Sequence, residues 1–72
     1  MGEISFYRTA KNEKSAQKIK RLLQQAGCAN VTIYMANSQR AFRITAVAPN
    51  HQVNVKVAML ESRNDYKNLL LH

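Results

Sequence analysis

The chain has 72 residues, 46% of them apolar, with two glycines and one proline, which fits one small folded domain spanning 1–72 and excludes a disordered or low-complexity chain. Eleven lysines and arginines against four acids give a formal net charge of +7, a balance that favours a polyanionic partner: nucleic acid, anionic lipid or the acidic face of a protein. The lone cysteine excludes an internal disulfide, no stretch reaches the roughly 18 apolar residues of a membrane span, and MGEISF lacks the basic start and apolar core of an export signal, so a cytoplasmic protein without membrane association is expected.

Alternation around Ile4 and Phe6 predicts a first strand over roughly 3–8. The period then changes to 3.6. Ala16, Ile19, Leu22, Leu23 and Ala26 recur at three- and four-residue steps, with Asn12 as N-cap and Gly27 just past the C-terminus, so a helix is predicted over 12–26. NVTIYM (30–35) alternates Val31, Ile33 and Met35 against Thr32 and Tyr34 as a second strand. Asn37, Ser38 and Gln39 supply the turn into a third strand within QRAFRITAVA (39–48), which sends Phe42, Ile44 and Ala46 to one face and Arg43, Thr45 and Val47 to the other.

The segment after Pro49 and Asn50 has two readings. As a helix, QVNVKVAML would use Val53, Val57 and Leu60; as a strand, it would present Val53, Val55, Val57 and Met59 on one face. Three alternate β-branched residues separated by Asn and Lys favour the strand. Ser62, with Asp65 three residues on, resembles a capping box opening a short helix with Tyr66, Leu69 and Leu70 on one face. The expected class is α+β: a mostly antiparallel sheet of three to four strands with two helices on one face, in the order β-α-β-β-β-α, or β-α-β-β-α if 52–60 is helical.

No catalytic constellation stands out. His51 falls beside a turn and His72 at the terminus, the acids Glu3, Glu13, Glu61 and Asp65 are scattered, and neither a phosphate-binding loop nor metal-ligand spacing occurs. A non-enzymatic protein without cofactor or metal is expected. Cys28, at the C-terminal end of a helix, reads as a small half-buried apolar residue rather than an activated thiol.

Two surfaces carry binding potential. Lys11, Lys14, Lys18 and Arg21 share one helix face in a basic stripe running toward Gln25. Six of the eleven basic residues lie between Arg8 and Arg21 against one acid, Glu13, and like charges at that spacing repel, so the stripe does not serve helix stability. It fits phosphate contact, or an ordinary solvated face. The outward sheet set would be Tyr7, Thr32, Tyr34, Arg43, Thr45, Asn54 and Lys56: two aromatics interleaved with two cations, able to stack bases on Tyr7 and Tyr34 while Arg43 and Lys56 meet phosphates.

Ser5-Phe6, Ala16, Leu23 and Gly27 along the helix, and Phe42-Arg43-Ile44 in the later strand resemble the spacing of the SPOR domain across residues 4–48. That resemblance implies a small peptidoglycan-binding module; the Gly-Pro-Phe-like turn usual after the later strand is replaced by Ala48-Pro49-Asn50. The residues themselves favour a module binding DNA or RNA. The rival is a small inhibitor or adaptor, of the kind mobile genetic elements encode, that engages an acidic or nucleic-acid-binding surface of a partner protein. A homodimer through an exposed Leu71 is a third reading.

Overall fold

The computed structural model of the chain describes residues 2–35 and 41–71. Three strands, β1 (Ile4–Ala10), β2 (Ala29–Met35) and β3 (Phe42–Ala48), form one antiparallel sheet in the order β1-β3-β2. The helices are α1 (Glu13–Gln25) between β1 and β2, α2 (His51–Glu61) after β3, and a single turn α3 (Asn64–Lys67). The α+β class holds, with a three-stranded sheet and both longer helices on one face. The turn at Asn37, Ser38 and Gln39 lies outside the described residues.

α1 begins and ends where its residues dictate. The Asn12 side chain accepts a hydrogen bond from the Ser15 N–H at 2.8 Å. At the other end the Cys28 N–H donates to the Leu23 carbonyl and the Gly27 N–H to the Gln24 carbonyl, both at 3.1 Å, while Gly27 takes φ +104°. This is the closed helix end that satisfies the last carbonyls and requires a left-handed residue, which glycine adopts without a Cβ penalty. Ala16, Ile19 and Leu23 are buried on the inner face of α1.

The register of β1 on β3 pairs Ile4 with Ala48, Phe6 with Ala46, Arg8 with Ile44 and Ala10 with Phe42, so these positions share the helix side of the sheet. Ala10, Ile44 and Ala46 there join Ala16, Ile19, Leu23, Val57, Leu60 and Tyr66 in one core. The alanines let the helices approach the central strand closely. A bulge between Ala29 and Thr32, with Asn30 at φ 54°, re-aims the start of β2.

Residues 52–60 are helical, which corrects the fourth strand and selects the β-α-β-β-α order, extended by the one-turn α3. The decisive local signal is Asn50: its side chain accepts from the Val53 N–H at 2.9 Å and caps α2 immediately after Pro49. Both edges of β3 are already paired, and α2 buries Val57 and Leu60 over the sheet instead. Tertiary burial here overrides the β propensity of the alternating valines. His51 is accordingly the first residue of α2 rather than a turn residue, and Val55, expected inward, is exposed.

The C-terminus departs from expectation in the same region. Ser62 is the C-cap of α2, not an N-cap, and α3 ends at Lys67 before Leu69 and Leu70. Leu69 closes a turn after α3 and Leu70 meets the end of β1: Ala10 bridges Leu70, the Lys11 N–H donates to the Leu69 carbonyl and the Leu71 N–H to the Thr9 carbonyl at 2.9 Å. Part of the β1 edge is thereby covered. Leu71 is exposed, as the sequence suggests.

Candidate nucleic-acid interface

The face of the sheet turned away from the helices is built from the alternate residues of all three strands. Tyr7 pairs with Thr45 and Thr45 with Thr32, forming one row; Thr9, Arg43 and Tyr34 form the next. Because side chains on neighbouring strands at paired positions lie on the same face, both rows project outward together. Tyr7 is 56% exposed and Tyr34 55%, values unusual for tyrosine and a measure of how bare this face is.

The guanidinium of Arg43 lies over the Tyr7 ring at 4.7 Å from its centroid. Tyr7 and Tyr34 stand two strands and one row apart, about 12 Å between backbone positions, so each offers its own stacking surface rather than one shared slot. Between them a shallow depression of about 460 Å³ is lined by Ser5, Asn30, Thr32, Thr45 and Val47 together with the two tyrosines. Ser5, Asn30, Thr32 and Thr45 contribute hydroxyl and amide groups to a lining otherwise apolar, a mixture that can both stack against and hydrogen-bond a flat polar ligand. Among the described residues Arg43 is the cation of this face.

Lys56 and Asn54 do not belong to it. Both lie on α2, and Lys56 borders a groove between α1 and α2 together with Leu22, Gln25, Ala26, Met59, Leu60 and Arg63. Their expected place in the outward sheet set with Arg43 is corrected for the reason that makes 52–60 a helix; the neighbours of Arg43 are Thr9, Tyr34 and, diagonally, Tyr7. Lys11, Lys14, Lys18 and Arg21 are all exposed, and the last three occupy the solvent side of α1. The stripe and the aromatic face are therefore on opposite sides of the molecule.

One cluster escaped sequence reasoning. Arg8, on the helix side of β1, holds Glu61 at the end of α2 through both carboxylate oxygens, with Nη2 at 2.7 Å from Oε1 and Nε bonded to Oε2. The Tyr66 hydroxyl donates to the same carboxylate at 3.3 Å. Burial pushes the Tyr66 phenol well above its ordinary range, and the Glu61 charge adds to it. Arg8 also lies 5.0 Å from the Phe6 ring centroid. The sequence signal was an arginine at an inward strand position, which demands an acid partner. Its role is to pin the end of α2 and α3 to β1. Cys28 is half-buried, and burial raises its thiol, an environment opposite to that of a reactive cysteine.

Among the described residues no group of three His, Cys, Asp or Glu side chains converges as metal ligands do, and no helix is long and apolar enough to cross a membrane. Compared with known proteins, the chain matches no family model, no curated protein and no solved structure.

Proposed function

We propose that this protein is a non-enzymatic nucleic-acid-binding module that takes a single strand across its open sheet face. The observation that carries the reading is the outward trio of Tyr7, Arg43 and Tyr34 on a face that no helix among the described residues covers. A single strand presents unstacked bases, and base-on-tyrosine stacking contributes about 1–3 kcal/mol per base whatever the sequence. Arg43, stacked on Tyr7, supplies a fixed cation for a phosphate beside the stacked base. A duplex hides its base faces and gains little from such a platform.

The stripe of Lys14, Lys18 and Arg21 serves the same function from a distance. It cannot touch a strand lying on the opposite face, but with the +7 net charge it draws polyanions toward the molecule and raises encounter rates. Fluorescence anisotropy with single- and double-stranded DNA and RNA of equal length, at rising salt, tests the proposal. Tighter binding of single strands, weakening with salt as counterions are released, is expected. Equal binding of duplex and single strand, or no binding of any nucleic acid at low salt, would overturn it.

A further inference from the structure

The α1–α2 groove is a second feature with the character of a site, and it lies on the other side of the sheet from the tyrosines. Its volume is about 430 Å³, within the range of ligand-sized clefts. Leu22, Ala26, Met59 and Leu60 give it an apolar interior, and Met59 is 67% exposed, a large apolar side chain left at its border. Lys56 and Arg63 stand on the α2 side.

On the α1 side Gln25 lines the groove, and Arg21, one turn earlier and exposed, lies just beyond its rim. No acid lines it. Glu61 is held by Arg8 and Tyr66, and Asp65 is held by Arg63.

We infer that the groove between α1 and α2 is a docking site for an acidic amphipathic peptide segment of a partner protein, one or two apolar anchors seated on Leu22, Ala26 and Met59 and its carboxylates facing Lys56 at the groove and Arg21 just beyond its rim. The charge pattern selects this occupant. A second copy of the chain carries +7 and no acidic run with apolar anchors, so it is repelled. A nucleic acid has the charge but no aliphatic side chain to fill the groove, and a flat bilayer does not enter a concave cleft between two helices. Met59, flexible and polarizable, adapts to more than one anchor shape.

The inference is independent of the sheet-face proposal, and its test keeps them apart. The full chain is titrated with a synthetic peptide of about sixteen residues carrying leucine at i, i+3, i+4 and i+7 and glutamate elsewhere. Its scrambled isomer, a glutamine-for-glutamate version and anionic phosphatidylglycerol vesicles serve as further probes, read by anisotropy and amide NMR shifts. The patterned acidic peptide is expected to bind at least about tenfold more tightly than either control peptide, with shifts centred on Leu22, Ala26, Lys56 and Met59. Met59→Glu and Lys56→Gln should each weaken it several-fold at unchanged melting temperature, while Arg43→Ala leaves it as in wild type. Equal binding of the scrambled peptide, shifts confined elsewhere, or binding of vesicles without the peptide would overturn the inference. If Met59→Glu fails to fold, Lys56→Gln, at an exposed position, decides the matter alone.

Discussion

Arg43 holds its guanidinium 4.7 Å from the centre of the Tyr7 ring, one diagonal step across the β1–β3 pairing. The stack joins the central strand to an edge strand and fixes a cation beside an aromatic surface before any ligand arrives. An exposed cation–π contact contributes about 0.5–1 kcal/mol, so Arg43→Ala is expected to leave stability within about 1 kcal/mol of wild type. The same substitution should weaken single-strand binding about tenfold or more in an anisotropy titration. Arg43→Lys should fall between the two, since lysine keeps the charge and loses the planar stack. Undiminished binding by Arg43→Ala would remove this residue from the interface.

The basic stripe on α1 predicts a kinetic signature. With Lys14, Lys18 and Arg21 all replaced by alanine, the association rate for a single strand should drop several-fold at low salt while the dissociation rate stays near wild type, because on the proposed reading these cations steer without touching. Stopped-flow measurement separates the two rates. A rise confined to dissociation would place the strand on α1 instead of the sheet.

Arg8 and Glu61 predict the opposite division, stability without binding. Glu61→Ala leaves the partly buried Arg8 guanidinium with the Tyr7 carbonyl in place of its carboxylate partner and the Tyr66 hydroxyl without its acceptor, a loss of about 1–3 kcal/mol, readable as a lowered urea midpoint. Asp65→Asn removes the exposed pair with Arg63, whose side chains are both about half exposed, and should leave the midpoint essentially unchanged. Equal effects of the two substitutions would refute this distinction.

Alkaline pH should destabilise the fold. Burial and then Glu61 raise the Tyr66 phenol, against the opposing pull of Arg8, and burial followed by Glu61 raises the Cys28 thiol. Both groups keep their protons longer in the folded chain than in the unfolded one. Their contribution is complete below the ordinary thiol and phenol range, about 8.5 to 10, and is lost as the unfolded chain ionises above it. The urea midpoint should fall as pH rises from about 8 to about 11, first through Cys28 and then through Tyr66, and less so in a Cys28→Ser, Tyr66→Phe variant. A midpoint that rose over this interval would contradict the assignment.

Much of this architecture was legible from local signals. Asn12, the 3.6-residue spacing from Ala16 to Ala26 and Gly27 define α1 because caps and periodicity act within one element. QRAFRITAVA placed Arg43 outward because a strand alternates whatever its neighbours, and Tyr7, Thr32, Tyr34 and Thr45 followed by the same rule. Residues 52–60 misled because valine propensity is local, whereas the burial of Val57 and Leu60 against the sheet is not. Asn50 was the available counter-signal, a cap directly after proline. That error carried Lys56 to the wrong face. The Arg8–Glu61–Tyr66 cluster joins residues 53 positions apart and no local pattern announces such a pairing, though an arginine on an inward strand position signals that a partner must exist.

The central claim is that a single strand lies on the open sheet face, and the most direct test is a titration of the isotopically labelled protein with a short single-stranded oligonucleotide, followed by NMR. Shifts concentrated on Tyr7, Thr32, Tyr34, Arg43 and Thr45, with the ring signals of both tyrosines moving upfield on base stacking and the α1–α2 groove unperturbed, are predicted. Shifts confined to α1, or none at oligonucleotide concentrations well above those of the protein, would contradict it.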